Sequence, residues 1–545
     1  VVGGLGWGWL QLNASKNLSV DFPGNRLLAP AGIVWGDEVV ARTNNSGFVV
    51  APESPLLNAR TALASILAHA ANQTKLGADE LNQATASIVA ALRSLPSHDT
   101  LFLPQIAALQ SMPGAVVFPT PEVQLKNDQP LARLFVTLNL VALQRAEPSK
   151  LRPHPAAEAF PGSVAKGAPT TSRLIKVNTA RPDWHSTGLY AAPGTLIRVE
   201  VPANAAGKGL GVRIGCHTDK LWKKDSWARM PEITRLEKVL NPVTDAANSF
   251  GGLIYVDVPK GCALGEIEVK ISGGIDAPYY VLGKTDPTEW VNERRRAPAP
   301  WAELECAGVI LTVPSSVIRE LDNPGELMHL WLKIAQAQDA LAGISTDRVR
   351  PERIVADAQI SVGYMHSGYP IMTHLDVATT ATNVEKLKQN GWGFFNELGH
   401  NHQVPDWTFD GTGEVTCNIF SLFICETVCG LPAGSGHPAM DPTKVAERLS
   451  KHLAGHAVFA RWQGDPFLAL TMYDQLRAAF GWNTYGKVFA EYRSLAKAER
   501  PANDNQKRDQ WMVRFSKATG KNLGPFFQAW GVPTSDAARA SRMLK

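Results

Sequence analysis

Hydrophobic residues recur at helical spacing in the first 147 residues of the chain. Three Ala- and Leu-rich segments predict amphipathic helices there: 57–72, 77–94 and 128–147. They follow an apolar, Gly-rich start that predicts a short strand and a tight turn, and a second strand-like segment at 32–35. Strand, glycine turn and helix together predict part of an α/β domain. The glycines lack the spacing of a phosphate-binding loop, so a structural turn is expected.

Alternation with a period of two residues replaces the helical spacing between about 171 and 285. Four segments show it most clearly: 196–201, 212–215, 253–258 and 267–271. Turn residues separate these segments, a pattern typical of a β-sandwich. The preceding segment, 148–170, is rich in Pro with Gly and Ser, which predicts a linker.

Helical periodicity returns after residue 300, apart from an early strand predicted at 308–313. The pattern therefore predicts a multidomain α+β protein. It divides into a partial α/β domain at 1–147, a linker at 148–170, a β-sandwich at 171–285 and a mostly helical domain at 286–545.

Composition excludes several classes of protein. The chain has 545 residues, is 45% hydrophobic and carries a net charge of only +4 with mixed signs, so no nucleic-acid surface or polybasic membrane patch is indicated. No apolar run is long enough to predict a membrane span. The six cysteines contain no CxxC pair, so disulfides are not expected to hold the fold together. The first residue is Val rather than Met, which suggests a processed or shortened product.

The segment 391–403 contains the candidate chemistry, Asn396-Glu397-Leu-Gly-His400. Zinc peptidases of the HExxH type place two imidazoles one helical turn apart toward one ion, and the Glu beside the first His acts as general base. Here Glu397 and His400 occupy the base and second-ligand positions. Glu414, fourteen residues after His400, is expected to be a third ligand from the next helix. Asn396 stands at the first-ligand position, where an amide oxygen binds zinc more weakly than imidazole does.

A Glu and a His three residues apart also occur by chance on packed or solvated helix faces. The surroundings favour a site, because an apolar segment at 392–395 precedes the helix and Gly399 permits close approach of another segment. His402 is too near His400 to share its helix face. A ligand set of His400, His402 and Glu414 stays open as an alternative if the helix ends there.

These residues resemble the pattern of metallopeptidase family 60, the enhancin-like zinc enzymes that cleave mucins and other O-glycosylated proteins. That pattern is His-Glu-x-Gly-His-x-x-Gln followed by Gly-x-Gly-Glu. The chain matches it at seven positions: Glu397, Gly399, His400, Gln403, Gly411, Gly413 and Glu414. It departs at Asn396. The resemblance extends over roughly 170–545. Residues 1–147 resemble, more loosely, the end of the amidotransferase-like domain of TRP channel-associated factor proteins; the region has no Cys and is therefore expected to be non-catalytic.

The resemblance implies a zincin-type (gluzincin) domain at 286–545, with Glu397 as general base and His400 and Glu414 holding Zn²⁺. Because the family's first histidine ligand is replaced by Asn396, zinc binding is expected to be weak or substoichiometric. The resemblance also implies a glycoprotein or glycopeptide substrate and a secreted or cell-surface location.

A loop at 364–369 resembles the segment that precedes the active helix in this family. Tyr364, His366 and Tyr369 are its candidate substrate-binding residues, and His366 can polarise a scissile carbonyl. The alternative for His366 is a loop that packs on the core. Two functions follow from the resemblance: a zinc endopeptidase acting on O-glycosylated, mucin-like protein and impaired by Asn396, or a non-catalytic module that binds a glycoprotein or membrane protein.

Overall fold

The computed structural model describes residues 6–13, 16–37, 44, 46–47, 54–110 and 117–540. The first region is helical in its described part, with a single two-residue strand. Its elements are α1 (Gly6–Leu12), α2 (Pro23–Leu28), α3 (Ala59–Ala70), α4 (Ala78–Ser94), α5 (Leu103–Gln110), β1 (Leu125–Lys126) and α6 (Pro130–Arg145). Helices α3, α4 and α6 correspond to the three predicted helices and share a core that includes Leu63, Ile88 and Leu134.

The strand predicted at 32–35 is wrong. Both backbone groups of Trp35 are bonded to the Asn25 side chain, which accepts from Trp35 N at 2.6 Å and donates to Trp35 O at 3.0 Å. A strand partner would need those same groups. The predicted glycine turn is also wrong from Gly6 onward, where α1 begins, and its residues 3–5 lie outside the described part.

The second region contains nine strands, eight of them in one sheet with the order β7-β5-β9-β3-β10-β4-β8 and β2 alongside β10. The strands are β2 (Thr170–Asn178), β3 (Asp183–Ala191), β4 (Ile197–Glu200), β5 (Gly211–Ile214), β6 (Ser226–Trp227), β7 (Arg235–Lys238), β8 (Val243–Ala246), β9 (Gly252–Val258) and β10 (Glu266–Asp276). The four predicted strands fall on β4, β5, β9 and β10. Their inward apolar side chains, such as Val199, Val212 and Val269, share one core. Strand β6 instead pairs with β1 and joins this region to the helical one.

The segment predicted to be a linker is packed rather than free. Phe160 is buried in the main core. The indole of Trp301 donates to Pro161 O at 2.7 Å, and the hydroxyl of Tyr190 donates to Gly162 O at 2.8 Å. Its proline-rich backbone thus supplies carbonyl acceptors to the second and third regions of the chain.

The third region opens with a six-stranded sheet of order β11-β12-β13-β14-β16-β15. Its elements are β11 (Tyr279–Val281), α7 (Pro287–Asn292), β12 (Trp301–Glu305), β13 (Val309–Pro314), α8 (Pro324–Leu341), β14 (Glu352–Asp357), β15 (Met365–His366) and β16 (Ile371–His374). Only β13 was predicted. Strands β12 and β14 are buried on both faces, so their burial does not alternate, and Glu303 and Arg353 interrupt the apolar run by which β13 was recognised.

Eleven further helices complete the described chain: α9 (Ala378–Ala381), α10 (Val384–Asn390), α11 (Trp392–His402), α12 (Gly413–Thr427), α13 (Pro442–Ala454), α14 (Phe459–Gly464), α15 (Pro466–Phe480), α16 (Trp482–Arg493), α17 (Asp504–Thr519), α18 (Gly524–Ala529) and α19 (Asp536–Arg539). Helices α11 and α12 pack closely at Gly399, where a Cβ atom would lie 2.5 Å from Cys417 O. Among the described residues, no helix combines the length and apolar character needed to cross a membrane.

Buried polar contacts connect the second region to the third. Arg229 of the second region binds Asp357 of the third at 2.7 Å. A second buried ion pair, Arg353–Glu303, lies within the third region, and its Glu303 accepts from Tyr255 Oη of the second region at 3.0 Å. Removing one member of such a pair leaves an uncompensated charge in the interior. The sheet that supports α11 is therefore held in place by residues from the preceding domain.

Candidate functional site

Helix α11 carries the three predicted residues Asn396, Glu397 and His400. Its first turns bury Phe394 and Phe395 in the main core, which fixes the helix against the sheet. Asn396 and Glu397 are only 9% and 8% exposed, so the motif begins inside the protein. His400, one turn later, reaches the more open end.

The ring of His400 is oriented by Gln403. Gln403 Nε2 donates to Gly413 O at 2.8 Å and to Thr416 Oγ1 at 2.6 Å. Its Oε1 is therefore the acceptor for His400 Nδ1, 2.9 Å away. With the proton on Nδ1, Nε2 is the nitrogen that faces Glu414 Oε2, at 3.3 Å. A metal-binding histidine is typically held by its other nitrogen in this way.

Cys417 joins these residues, and the sequence analysis missed it. Donor atoms of His400, Glu414 and Cys417 all lie within 4.8 Å of one another. Glu414 and Cys417 are three residues apart on α12, so they share one helix face. That Glu-x-x-Cys spacing was the available signal. Nitrogen, oxygen and sulfur donors together suit zinc, so the residues present fit the metal that the resemblance implies.

Asn396 turns its amide nitrogen, not its oxygen, toward this cluster. Asn418 Nδ2 donates to Glu414 O at 2.7 Å, which leaves Asn418 Oδ1 as an acceptor. Asn396 Nδ2 donates to that oxygen at 2.8 Å and to Cys417 Sγ at 3.2 Å. The expectation of a weak amide-oxygen ligand therefore needs correction: Asn396 is a hydrogen-bond donor to the site.

Electrostatics within the cluster distinguish the two carboxylates. The hydrogen bond from His400 lowers the pKa of Glu414. Burial raises the pKa of Glu397, and the opposing effect of His400 does not cancel it. Burial alone would lower the pKa of His400, but its contacts with Cys417 and Glu414 raise it. A raised carboxyl pKa suits a general base, whose pKa is best placed near the working pH.

His366 lies on β15, the terminal strand of the sheet beside α11. Its Nε2 is 2.8 Å from Asp219 Oδ2, and its Nδ1 is 2.9 Å from Ser367 O. Both nitrogens face acceptors, so both donate. No ring N–H is left to polarise a substrate carbonyl, and that suggested role is wrong for this arrangement. Burial lowers the pKa of His366, but Asp219 outweighs it and the pKa is raised.

The two tyrosines of the loop differ from each other. Tyr364 is exposed, donates its hydroxyl to Asp376 and stacks on His374. Tyr369 packs beneath Arg350, whose guanidinium is 3.8 Å from the ring centroid. Of the two, Tyr364 is the more exposed. Substrate binding by either stays a prediction.

The alternative ligand set with His402 is wrong. His402 is 3% exposed, and its Nδ1 lies 2.6 Å from Leu398 O. Its Nε2 lies 2.8 Å from Asp339 Oδ1. Both ring nitrogens are thus engaged on the opposite side of α11, away from Glu414.

A Glu and a His on a helix beside a mixed sheet, with a second carboxylate from the next helix, define a metallopeptidase fold. Residues 166–272 match the N-terminal domain of M60-like peptidases, and residues 273–531 match peptidase M60, enhancin and enhancin-like. Residues 166–531 of the chain therefore belong to the enhancin-like M60 family.

Relatives of this chain are named as channel-associated factors rather than as peptidases. TRPM8 channel-associated factor 2 of Bos taurus is 33% identical over 99% of this chain and 59% of its own length. The Homo sapiens protein of that name is 41% identical over 67% of this chain and 40% of its own length. The chain thus spans only part of these relatives. Among solved structures, IMPa from Pseudomonas aeruginosa in complex with an O-glycopeptide shares the fold, with a TM-score of 0.54 and 17% identity over 85% of this chain and 61% of that one.

Proposed function

We propose that this chain recognises O-glycosylated, mucin-like protein at the site formed by Glu397, His400 and Glu414, and that its endopeptidase activity is impaired at Asn396. One observation carries the proposal. Where the family pattern has an imidazole, the Asn396 amide is committed to Asn418 and Cys417. The fold shared with a protein solved with an O-glycopeptide supports the ligand class. Such a ligand implies a secreted or cell-surface location.

The chain's own residues retain other parts of the peptidase arrangement. Glu397 is buried, and burial raises its pKa, the direction that suits a carboxylate acting as general base. Strand β15 ends its sheet and can offer backbone groups to an extended peptide, with Tyr364 exposed beside it. His400 and Glu414 would hold zinc, which when bound lowers the pKa of water and polarises a carbonyl.

Binding and cleavage of a defined O-glycopeptide test the proposal, with the same peptide lacking its glycan as control. We expect the unmodified chain to bind the glycopeptide and to cleave it slowly or not at all. Asn396→His should raise the cleavage rate at least about 10-fold, since losing even a residue that supports a ligand costs that much. Glu397→Gln added to Asn396→His should abolish cleavage and keep binding. Equal binding of both peptides, or cleavage by the unmodified chain as fast as by Asn396→His, would contradict it.

The relatives' names favour a second candidate, a module that binds a membrane protein without cutting it. The same variants separate the two. If Asn396→His binds zinc and glycopeptide but still does not cleave, other parts of the catalytic machinery have been lost, and the binding module is the better description.

A further inference from the structure

We infer that Cys417 replaces the missing histidine as a metal ligand, so that this chain holds zinc through an imidazole, a carboxylate and a thiolate. The inference concerns the same site as the proposed function, but it does not depend on which protein or peptide that site recognises. It changes the expected affinity for zinc. Weak zinc binding is expected when His400 and Glu414 are the only strong donors. A third donor gives the three protein ligands that are usual at a catalytic zinc site.

The distances allow the assignment. Zinc–ligand bonds of about 2.0–2.3 Å place tetrahedral ligands about 3.3–3.8 Å apart. His400 Nε2 and Glu414 Oε2 are already 3.3 Å apart. All three donor atoms lie within 4.8 Å of one another, so closure needs shifts of about 1 Å or less by side-chain rotation.

Packing of the two helices puts Cys417 where the imidazole is absent. At Gly399 the backbones of α11 and α12 approach so closely that a Cβ atom would lie 2.5 Å from Cys417 O. The cysteine is thereby held beside the turn of α11 that contains Asn396. Its Sγ lies 3.2 Å from Asn396 Nδ2, next to the position the family fills with a ligand.

The neighbouring polar groups orient the donors as supporting residues do at metal sites. Gln403 fixes the His400 ring with Nε2 toward the cluster. Asn418 fixes the Asn396 amide with its N–H toward sulfur. An N–H donor stabilises the anionic form of sulfur, so Asn396 acts as a positioning residue for the new ligand.

The donor set also predicts how the metal behaves. Coordination replaces the thiol proton, which is released to solvent. A soft thiolate favours zinc over calcium or magnesium. Glu414 and Cys417 then supply two negative charges, where a pair of histidines and a glutamate supplies one. The more fully neutralised ion is a weaker Lewis acid, so full zinc occupancy and slow hydrolysis are compatible in this chain.

The competing interpretation is an ordinary buried thiol, because Cys417 Sγ also lies 3.3 Å from Gly413 O as helical cysteines often do. Cobalt substitution separates the two. With Co²⁺ in the purified full chain, we expect the intense near-ultraviolet absorption of a thiolate–cobalt bond. Cys417→Ser should lose that band and bind Zn²⁺ at least 10-fold more weakly. Cys425→Ala is the matched control, since Cys425 is buried on the same helix but lies outside the cluster.

A second measurement needs no variant. X-ray absorption at the zinc edge of the zinc-loaded, unmodified chain should show one sulfur ligand at about 2.3 Å, the length of a zinc–thiolate bond, beside nitrogen and oxygen ligands at about 2.0–2.1 Å. The inference is overturned if Co²⁺ binds without the thiolate band, if no metal binds, or if zinc affinity is equal in Cys417→Ser and the unmodified chain. Glycopeptide binding, measured on the same samples, reports on the proposed function separately.

Discussion

His400 and His402 lie two residues apart on α11, and each has a carboxylate partner, yet the two pairs have opposite surroundings. His402 and Asp339 are 3% and 0% exposed at the side chain and 2.8 Å apart. His400 and Glu414 are 3.3 Å apart, and the Glu414 side chain is 64% exposed. Residues two apart on a helix point to opposite sides, which explains how one short segment serves both.

The two pairs differ in how many of their hydrogen-bond donors and acceptors are already engaged. Asp339 accepts from Arg348 Nε at 2.7 Å and from Arg348 Nη2 at 2.6 Å, in addition to His402. The His402 ring stacks on Phe420. No donor or acceptor in that cluster is left for a ligand. At His400, by contrast, Nε2 faces a solvent-accessible carboxylate and a sulfur atom, so a metal can enter. A His–carboxylate pair is therefore structural when other side chains occupy its remaining donors and acceptors. It can bind a ligand when those atoms are accessible.

The largest effect should come from breaking the buried His402–Asp339 pair. Asp339→Ala removes a carboxylate shared by two side chains, Arg348 and the buried His402. Arg348 then keeps Glu352 and a contact of 3.2 Å to His402 Nε2. We expect a loss of about 3 kcal/mol in the free energy of unfolding, the low end for removing one member of a buried ion pair, because Glu352 still compensates part of the Arg348 charge. Guanidinium denaturation measures it. Glu414→Ala, the matched change at the exposed pair, should cost less than about 1 kcal/mol. Equal losses in the two variants would show that the pairs do not differ as described.

A smaller effect should come from moving the two helices apart. Gly399→Ala places a methyl group against Cys417 O, where a Cβ would lie 2.5 Å away. We expect a cost of about 1–3 kcal/mol in unfolding free energy from overpacking. Zinc affinity should fall as well, because α12 carries both Glu414 and Cys417.

Gly413→Ala is the control for that variant, since nothing lies within 4 Å of its added Cβ. It should stay within about 0.5 kcal/mol of the unmodified chain. If Gly399→Ala is as stable as Gly413→Ala and binds zinc as tightly, close packing of α11 on α12 is not what assembles the site.

The sequence predicted those features of the site that depend on local geometry. Glu397 and His400 are three residues apart on one helix, and Glu414 follows in the family's spacing, so periodicity and motif sufficed to find them. Cys417 enters only because α12 packs on α11 at Gly399. The Glu-x-x-Cys spacing indicates only that Cys417 shares a face of α12 with Glu414; the contact that brings this face to His400 is tertiary.

The same distinction explains the fold. Strand β10 was found by its alternation, although β2, which also alternates, was missed. Strand β13 is buried on both faces and was found as an apolar run. Strands β12 and β14 are equally buried, but Glu303 and Arg353 interrupt their apolar sequences, and they were missed. His366 is a further case: its occupied nitrogens depend on Asp219, which is 147 residues earlier in the chain. The sequence showed a histidine in a loop but not the carboxylate that engages it.

His366 has both ring nitrogens engaged, as His402 does, but it lies on the strand beside the candidate site. The pH dependence of its pairing with Asp219 gives the smallest predicted effect. Burial lowers the pKa of His366, but the hydrogen bond and charge of Asp219 raise it above its unfolded value. Burial raises the pKa of Asp219, but His366 lowers it below its unfolded value. Their mutual stabilisation is therefore complete only in the pH window above the unfolded aspartate pKa of about 4 and below the unfolded histidine pKa of about 6.5. It is lost as pH rises through the folded pKa of His366.

Asp219→Asn removes the charge of this pair and nearly preserves its shape. The difference in unfolding free energy between the unmodified chain and Asp219→Asn should be on the order of 1 kcal/mol at pH 5.5 and should shrink as pH rises through the folded pKa of His366, because neutral His366 gains little from a carboxylate. Urea denaturation at several pH values measures it. Asp376→Asn is the control, since the partner of Asp376 is the Tyr364 hydroxyl, whose pKa is raised to about 12 by that hydrogen bond, so it stays protonated throughout. A constant difference for Asp219→Asn across this range would mean that His366 is not the charged member of the pair. It would then have a ring nitrogen free to act on substrate, and His366 would belong with His400 rather than with His402.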